Sequence, residues 1–467
     1  MTIDPVIMEV IRNALNYSAE EAGMALRNSA YSHNIKERMD HSCALLDPRG
    51  NLLAQAEHIP VHLGSLPWGV KNVIRCLEEG NEKWEDGDVV MVNDPYIAGT
   101  HLNDVMVVRP VFFNENLLGF SANKAHHVDV GGEVAGSISS NAASLNQEGV
   151  VVSPSKLIAR GYVNEKVLTP FLEKVRSPQI SSGDLRAQIA AANLGARRLM
   201  ELAEKYGIGR LYEAFEKIIS YGERKMRRQL ELVPHGVFDA EDCLEDVREG
   251  DSLTWIRVRM EMTREEIVVD FSGTDAQVNA PLNAVLGVTL SAVYFAIKSI
   301  VDPEGPMNEG VLRPIKVIAP EGSLVNPRSP APVSGGNLET SQRIADTVFR
   351  ALATALPGRV PAASQGSMNN VNAGGFDPER GIHWTFCETL GGGSGGRPGS
   401  NGVDGVHVNM TNTMNTPIEA IERYYPVLFT QYQLRPGTGG GGKWRGGDGL
   451  VRAWKLLAPE AEVTVIG

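Results

Sequence analysis

The spacing of hydrophobic residues predicts helices at several places along the chain. Asp4-Pro5 has the form of a helix start, with an N-cap acid before a proline, and the apolar positions that follow predict a helix to about Asn28. Residues 183–232 carry apolar side chains at intervals of three and four, broken at Gly207-Ile208-Gly209, which is typical of two paired amphipathic helices. Three more helices are predicted, one ending near Glu79, one over 283–301, and one over 338–357 that Asn337 caps.

Alternating and continuous apolar runs predict strands between these helices. Residues 41–47 and 51–56 form one hairpin around the turn Asp47-Pro48-Arg49-Gly50, in which proline and glycine occupy their preferred positions. Residues 252–262 and 265–274 predict a second hairpin about Thr263-Arg264. Other strands are expected at 87–93, at 312–318, and between glycine-rich loops from Pro361 onward. This mixture of elements predicts an α+β fold with mixed and antiparallel sheets.

The stretch from Asn93 to Gly132 contains three of the ten histidines, and its middle predicts a further β-hairpin. The runs DVMVVRPVFF and LLGFSANKA flank Asn114-Glu115-Asn116, which has the character of a short polar turn. If the loop consists of these three residues, Asp104 pairs with His126, and facing side chains in such a pair lie about 5 Å apart at Cβ. His101 precedes Asp104 by three residues, so the three side chains can converge at one end of the hairpin.

Two imidazoles and one carboxylate form a facial ligand set for a divalent metal, with positions left for water or substrate. The alternative is that Asp104 caps the strand and that the histidines are satisfied surface groups. The metal hypothesis depends on the register of the hairpin, because a slip of one residue turns His126 to the opposite face and puts His127 in its place.

A chain of 467 residues is too long to fold around a single hydrophobic core, so several lobes are expected. We predict a metal-binding catalytic lobe over residues 1–180 and a helical segment over 181–235. An α+β lobe is predicted over 236–335, and a helix plus glycine-rich β region over 336–467 is predicted to complete the core. Many of the 49 glycines fall in the last third, where they indicate tight turns and close backbone approaches. The last residues, EVTVIG, have the pattern of a strand, so a continuation beyond Gly467 is expected.

The composition argues against several classes of partner. A net charge of −12 and a pI near 5.4 disfavour nucleic acid and anionic membranes. The N-terminus lacks the basic and apolar regions of a signal peptide, and the sequence has no run of about 18 apolar residues that could span a bilayer. The four cysteines are scattered without a CxxC pair, which fits a reducing compartment, so a cytoplasmic protein is expected.

Two glycine clusters bear on whether the chain binds ATP. Residues 437–444, GTGGGGKW, match a phosphate loop in part, but Trp444 stands where serine or threonine must bind Mg²⁺, and strand-like sequence follows. Residues 391–396, GGGSGG, have no surrounding βαβ unit, so tight turns or close backbone packing are expected at both clusters. Ser394 lacks a GxSxG elbow, and Cys387 lies in a predicted strand as a core thiol. If the system uses ATP, another chain must bind it.

Several segments have a distinctive residue pattern. They are RMDHSCALLDPRGNLLAQAEHIPVHLGSLP, NDPYIAGTHLNDVMVVRPVF, AHHVDVGG, VDFSGT, PLNA, GGNLETSQRIADTVFRALA and GTGGGGKWRGGDG. In this order and over almost the whole chain they resemble the hydantoinase B/oxoprolinase family. That family includes subunits of N-methylhydantoinases, 5-oxoprolinases, caprolactamase-like lactam hydrolases, and acetone and acetophenone carboxylases.

The resemblance implies an ATP-dependent hydrolase that opens the ring of a cyclic amide, namely a hydantoin, 5-oxoproline or a lactam. Family members work with a hydantoinase A-type partner that has an actin-like ATP site. ATP and Mg²⁺ are therefore expected on that partner, in a hetero-oligomer with two copies of each subunit. The partner is expected to phosphorylate the substrate oxygen, and this chain to hold a divalent metal (Mn²⁺, Zn²⁺ or Fe²⁺) that lowers the pKa of water for the second step.

Matched residue by residue, the metal motif of the family falls on His101, Asp104 and His126, the trio that the hairpin register indicates. The acid of the family's R-x-D-x-S element falls on Asp40, a candidate fourth ligand or nearby base, and Asp40 or His127 is expected to relay the proton. His41 departs from the pattern, because an aromatic residue is common there in the family. An imidazole at this position either touches the site or fills space.

Two other functions stay open from the sequence. The first is a subunit of an ATP-dependent ketone carboxylase, in which the activated species is an enol phosphate, the electrophile is CO₂ from bicarbonate, and the metal ligands are the same. The second is a non-catalytic scaffold that stabilises the ATP-binding partner. The residue types in the loops 133–155 and 361–375 do not distinguish hydantoin, oxoproline and lactam substrates.

Overall fold

The computed structural model describes residues 3–56, 58–246 and 252–467. In these ranges the α-helices are α1 (Pro5–Ser29), α2 (His33–Lys36), α3 (His62–Glu79), α4 (Pro95–Ala98), α5 (Leu145–Glu148), α6 (Glu165–Leu172), α7 (Pro178–Tyr206), α8 (Ile208–Leu230), α9 (Leu286–Val301), α10 (Glu309–Leu312), α11 (Ser341–Ala355) and α12 (Ile418–Tyr424). The strands are β1 (His41–Leu46), β2 (Leu52–Gln55), β3 (Val89–Val92), β4 (Asp104–Phe113), β5 (Asn116–His126), β6 (Ser155–Ala159), β7 (Tyr162–Val163), β8 (Gly236–Asp246), β9 (Ser252–Met262), β10 (Ile267–Asp270), β11 (Ile315–Ile318), β12 (Asn370–Asp377), β13 (Ile382–Thr389), β14 (Val427–Arg435), β15 (Gly449–Leu456) and β16 (Glu462–Ile466). A π-helical turn, Gly336–Thr340, leads directly into α11. No helix among the described residues has the length and apolar character needed to cross a lipid bilayer.

A seven-stranded antiparallel sheet, in the order β2-β1-β5-β4-β3-β6-β7, forms the centre of the N-terminal part. One face packs against α1 and α7, where Leu15, Leu45 and Leu199 belong to one buried cluster. The opposite face packs against α3, where Leu66 and Val108 belong to another. Strand side chains alternate between the two faces, so neighbours in sequence lie in different layers.

The hairpin of β4 and β5 confirms the predicted register at the end of interest, because Asp104 pairs with His126. The predicted three-residue turn, however, is wrong. The turn consists of Asn114 and Glu115, whose φ angles are 47° and 64°, and Asn116 already belongs to β5. An irregularity in the pairing adds one residue to β5 and restores the predicted register beyond it. The turn is one residue shorter than predicted and the bulge adds one residue to β5, so the two changes offset each other. Asp104 therefore still pairs with His126, as predicted.

The remaining described strands form a four-stranded sheet, a three-stranded sheet and a two-stranded sheet, ordered β11-β10-β9-β8, β13-β12-β16 and β14-β15. The predicted hairpin about Thr263-Arg264 is confirmed by the antiparallel pairing of β9 with β10. β8 is absent from the sequence prediction, although it pairs with β9 along its whole length. Its sequence, VFDAEDCLED, is rich in acids that disfavour strands, and contacts with β9 and α11 keep it extended.

The helices predicted at the N-terminus and over 183–232 are confirmed. The Asp4 carboxylate accepts a hydrogen bond from the Val6 N–H (2.7 Å) at the start of α1. α7 and α8 meet at Gly207, whose φ of 80° breaks the helix. α7 packs across β4 and β5, and α1 packs beside it on β1 and β2. The division of the chain into four lobes stays a prediction.

The expected helix cap at Asn337 is wrong. Asn337 lies inside the π-helical turn, and its backbone N–H donates to the Val333 carbonyl (3.3 Å). The preceding Gly336 N–H donates to the Pro281 carbonyl (2.7 Å), and a Cβ on Gly336 would lie 1.8 Å from the Asn283 carbonyl oxygen. Only glycine allows this close approach. The tertiary contact, which leaves no local pattern, therefore overrides the capping signal.

Candidate metal centre

The trio His101, Asp104 and His126 lies where β4 begins and β5 ends, on the sheet face that packs against α3. Asp104 is the first residue of β4, His126 is the last of β5, and the two are paired. A tight turn, in which the Asp104 N–H donates to the His101 carbonyl (3.1 Å), brings His101 alongside. All three side chains are buried, and their donor atoms form a cluster that could hold a metal ion.

The donor atoms of the trio have the spacing of a coordination shell. His101 Nε2 lies 3.2 Å from His126 Nδ1 and 3.2 Å from Asp104 Oδ1, and His126 Nδ1 lies 3.5 Å from the same oxygen. Metal–ligand bonds of about 2.0–2.2 Å in tetrahedral geometry place ligand atoms on the order of 3.3–3.6 Å apart. The residues present therefore fit a divalent cation in both chemistry and spacing.

The electrostatics of the trio also suit a cation. Burial opposes ionisation of Asp104, but the neighbouring histidines, His101 first, hold the pKa of this carboxyl well below its usual range. Burial likewise opposes protonation of His126, yet the hydrogen bond with Asp104 raises the pKa of His126 to about 10. A proton on His126 therefore stabilises the trio in place of a cation, and metal binding would release that proton.

Asp40 lies beside the trio without joining its tight cluster. Its Oδ2 is 3.8 Å from His126 Nδ1, and its backbone carbonyl accepts the His126 N–H (3.0 Å). The guanidinium of Arg38 approaches the same Oδ2 at 3.8 Å. The Asp40 side chain keeps 12% of its surface exposed, against 2% for Asp104, so it is the more accessible of the two acids. This position suits a proton acceptor or an additional ligand, and either role stays a prediction.

His62 contacts the trio, although the sequence assigned it no role. Its Nε2 lies 3.4 Å from Asp104 Oδ2, and its Nδ1 lies 3.0 Å from the Ser42 hydroxyl oxygen. Burial lowers the pKa of His62, so the neutral ring can donate through Nε2 to Asp104 and accept the Ser42 proton at Nδ1. These two hydrogen bonds of His62 orient the Asp104 carboxylate, which His101 and His126 also contact. The sequence carries no local signal for this contact, because it arises only where α3, which His62 begins, packs on the sheet.

Replacing His62 with phenylalanine is expected to lower metal affinity by about 10–100-fold, because Asp104 loses the donor that orients it. Competition with a metal-binding dye measures the affinity. His41→Phe is the control. The His41 ring packs 4.9 Å from the His58 ring, and burial lowers its pKa to about 3, so it is a neutral packing group outside the trio. Equal affinities for the two variants would contradict the orienting role.

His127 lies on the opposite face of the sheet from the trio. Its Nε2 is 2.9 Å from Gln188 Oε1 on α7, and its ring packs edge-on against Phe171 with centroids 6.2 Å apart. Gln188 donates in turn to the Val105 carbonyl (2.8 Å), which fixes its amide. Among the two candidate relays, the geometry favours Asp40, and a relay role for His127 stays a prediction.

Arg38 forms a buried wall of the same site. It donates to the Cys387 carbonyl (3.0 Å), to Asn34 Oδ1 (3.2 Å) and to the Thr389 hydroxyl (3.2 Å). Cys387 is buried in β13, as predicted for a core thiol, but it is closer to the trio than the sequence indicates. Burial opposes ionisation of this thiol, but the Arg38 charge and the hydrogen bond with His126 lower the pKa of Cys387.

The pocket at the trio is very small. Its volume is about 20 Å³, which is space for little more than one water molecule. The π-helical turn supplies Asn337 and Leu338 to its lining, and Met410 closes another side. Among the described residues, the buried Asn337 Oδ1 has no hydrogen-bond partner. π-Helical turns are frequent at functional sites, because they aim side chains that a regular helix would not.

Glu148 ties the segment that precedes the π-helical turn to α5. Its carboxyl oxygens accept the backbone N–H groups of Val333 (2.9 and 3.0 Å) and Ser334 (2.9 Å). Burial outweighs these hydrogen bonds and raises the pKa of Glu148 to about 7. The group therefore titrates at a higher pH in the folded chain than in the unfolded chain.

This shift predicts that Glu148 makes the protein less stable as the pH rises from its usual pKa of 4.5 to about 7. In this window the folded chain retains a proton that the unfolded chain has lost, and the effect is on the order of 3 kcal/mol. The free energy of unfolding of Glu148→Gln, taken relative to that of wild type, should therefore be higher at pH 8 than at pH 5. Urea unfolding at both values measures this, with the exposed Glu173→Gln as control. Parallel pH profiles for wild type and Glu148→Gln would contradict the prediction.

The glycine-rich segments serve as turns and packing contacts, as predicted. Residues 437–444 lie in the connection from β14 to β15, and the Gly439 N–H donates to the Asp448 carboxylate (2.8 Å). β15 follows this connection instead of the helix that a phosphate loop requires. A Cβ on Gly396 would lie 2.4 Å from the Trp444 carbonyl oxygen, so the two glycine clusters pack on each other through backbone.

Similarity to known proteins extends over nearly the whole chain. Residues 4–467 match the model of the hydantoinase B/oxoprolinase family. The chain is 51% identical to an uncharacterized protein of Methanocaldococcus jannaschii, over 98% of this chain and 79% of that protein. It is 34% identical to the 5-oxoprolinase of Dictyostelium discoideum, over 97% of this chain but only 35% of that protein. Its fold matches the crystal structure of the ATP-dependent caprolactamase from Pseudomonas jessenii with a TM-score of 0.90 and 30% identity, over 98% of this chain and 79% of that chain.

Proposed function

The chain belongs to the hydantoinase B/oxoprolinase family, and from this premise we propose that it is the metal-carrying subunit of an ATP-dependent cyclic amide hydrolase. The substrate class comprises hydantoins, 5-oxoproline and lactams. The observation that carries the proposal is the cluster of His101, Asp104 and His126, whose ligand atoms lie 3.2–3.5 Å apart. The resemblance to a 5-oxoprolinase and to an ATP-dependent caprolactamase supports the reaction type.

We propose that a hydantoinase A-type partner binds the ATP and Mg²⁺. Both glycine clusters of this chain are used for packing, and the chain spans 35% of the 5-oxoprolinase that it resembles, so the rest of that protein has room for a nucleotide site. An unstrained lactam or imide ring resists hydrolysis, because the amide carbon is a weak electrophile. Phosphorylation of its oxygen by the partner provides a good leaving group and a more reactive carbon.

The residues of this chain divide the second step between them. His101, Asp104 and His126 would hold the cation, and His62 fixes the orientation of Asp104 through its second oxygen. Asp40 accepts a proton from the attacking water and returns it to the ring nitrogen as the carbon–nitrogen bond breaks. The immediate product is a ring-opened acyl phosphate with a free amine, and a second water breaks its carbon–oxygen or phosphorus–oxygen bond to give the ring-opened acid and phosphate. The pocket, closed on most sides, keeps other nucleophiles away from the activated carbon.

The bound cation would supply Lewis-acid polarisation of the reacting carbon–oxygen bond and a lowered pKa for water. Histidine and aspartate ligands suit Mn²⁺, Zn²⁺ and Fe²⁺. Elemental analysis of the purified chain identifies the metal. A divalent metal at about one equivalent is expected, and it should be lost on dialysis against a chelator at low pH, where protons compete for the ligands.

The decisive experiment is reconstitution of the chain with its co-expressed partner and a panel of hydantoins, 5-oxoproline and lactams. We expect ring opening that requires ATP and metal and that releases phosphate with each turnover. A requirement for bicarbonate with ketone substrates would favour the carboxylase function instead. Ring opening that proceeds at an unchanged rate with a metal-free chain would favour the scaffold.

A further inference from the structure

A second cavity, far larger than the metal pocket, lies behind one of its walls. This cavity, here called the chamber, has a volume of about 1280 Å³, which is enough for a small-molecule ligand. The wall consists of residues 58–61 and 408–412. Some of these residues line the chamber and others line the metal pocket. Pro60 and Asn409 line the chamber, whereas Ile59 and Met410 line the metal pocket.

The wall is one layer of residues thick. The Val61 N–H donates to the Met410 carbonyl (3.3 Å), and Asn412 Nδ2 donates to the His58 carbonyl (2.9 Å), so two segments distant in sequence are joined edge to edge. Thr411 lines both spaces. The chamber and the metal pocket are therefore separated by this wall alone where Thr411 lies.

The charge of the chamber is opposite to that of the protein. The chain has a net charge of −12, yet the described residues that line the chamber include five cationic side chains and two carboxylates: Lys298, Arg343, Arg350, Arg359 and Arg397, with Asp242 and Asp346. α11 contributes Arg343 and Arg350 to one side of the chamber. Burial raises the pKa of the Asp346 carboxyl. A cavity with this lining concentrates anions.

Buried polar atoms in the chamber also lack partners. Among the described residues, Arg343 Nε and both ring nitrogens of His407 have no hydrogen-bond partner. Burial, and then the charge of Arg38, lower the pKa of His407 to about 4, so its ring is neutral and can either donate or accept. Buried polar groups are nearly always satisfied, so these atoms are available to hydrogen-bond with a polar ligand or with water in the chamber.

We propose that the chamber binds the phosphorylated cyclic amide before it reaches the metal, with Arg343 and Arg350 holding the phosphoryl group and His407 contacting the ring. The inference deepens the proposed function and rests on it for the identity of the ligand. A pocket of about 20 Å³ cannot admit a substituted ring, whereas the chamber can. Passage to the metal then requires the contacts between Val61 and Met410 and between His58 and Asn412 to part.

The first test uses inorganic phosphate and the metal-loaded chain. Titration calorimetry should show saturable phosphate binding that weakens at least about tenfold in Arg343→Gln/Arg350→Gln, because charge-assisted hydrogen bonds are lost. Metal content should not change. Arg224→Gln, on the exposed side of α8, is the matched control and should bind phosphate as wild type does. Unchanged phosphate binding in the double variant would overturn the chamber as an anion site.

The second test uses the reconstituted complex and measures ATP consumed for each ring opened. We expect this ratio to rise in the double variant, because the phosphorylated amide escapes capture and decays. If phosphate binding weakens in the double variant while the ratio stays constant, the chamber holds released phosphate only, and the proposal of substrate capture is wrong. If the double variant does not fold, the single variant Arg350→Gln takes its place in both tests, because it keeps the Arg343–Asp242 ion pair (3.3 Å). A wild-type complex that binds phosphate but opens no ring would instead refute the proposed function.

Discussion

Asp104→Asn is expected to remove both the bound metal and the ring-opening activity. The substitution keeps the size of the side chain but removes the charge that His101, His126 and His62 all face. Loss of the cation should lower turnover by at least about 10³-fold, since metal polarisation contributes several kcal/mol to the reaction. His126→Ala should act similarly, because it removes a ligand and leaves Asp104 without its cross-strand partner. Metal analysis and ATP-dependent ring opening measure the two effects.

Asp129→Asn is the matched control for this prediction. Asp129 is a buried acid of the same segment, and it accepts hydrogen bonds from the N–H groups of Gly131 (3.0 Å) and Gly136 (3.2 Å) and pairs with Arg176 (2.8 Å). Its loss should lower stability without lowering metal content per folded chain. If Asp104→Asn and His126→Ala both retained stoichiometric metal and full turnover, the assignment of the metal centre would be wrong.

Gly336→Ala is expected to lower the free energy of unfolding by about 3 kcal/mol or more, the upper range for overpacking a buried site. The new Cβ would lie 1.8 Å from the Asn283 carbonyl oxygen and 2.3 Å from its carbon. Asn283 cannot move aside, because its side-chain amide donates to the carbonyls of Val278 (2.8 Å), Ala280 (2.9 Å) and Pro332 (2.9 Å). Urea unfolding measures the loss.

The same substitution should also weaken metal-dependent activity in the chains that stay folded, because the π-helical turn carries Asn337 into the metal pocket. Gly209→Ala is the control, since a Cβ there meets no atom within 4 Å and Gly209 lies in α8. That variant should be as stable as wild type or gain up to about 1 kcal/mol from its higher helix propensity. A Gly336→Ala protein with wild-type stability would show that the close contact relaxes freely.

Local patterns were sufficient for several features whose signal lies within one element or one hairpin. The Asp4 cap, the break at Gly207 and the pairing of β9 with β10 follow from residues close together in the chain. The trio belongs to this group too, because the period-two alternation of β4 and β5 sets which side chains share a face. The details of the turn were wrong, and the register at Asp104 survived only because the bulge in β5 compensates.

Long-range packing decided the rest of the site. His62 begins a helix whose position above the sheet places it against Asp104, 42 residues away. Arg38 contacts Cys387 across 349 positions, and the π-helical turn is shaped by contacts with Pro281 and Asn283. No spacing rule connects such residues, since their proximity depends on how separate elements pack and not on the period of either one.

The amino-acid sequence by itself determined most of the helices and strands, the α+β class and the three side chains best suited to hold a cation. The tertiary structure alone decided what surrounds them: the orienting pair of Ser42 and His62, the closed pocket, and the basic chamber behind its wall. The physical reason is range. Backbone periodicity and turn chemistry act over a few residues, whereas the charge and volume of a cavity are properties of surfaces that meet only after the chain has folded.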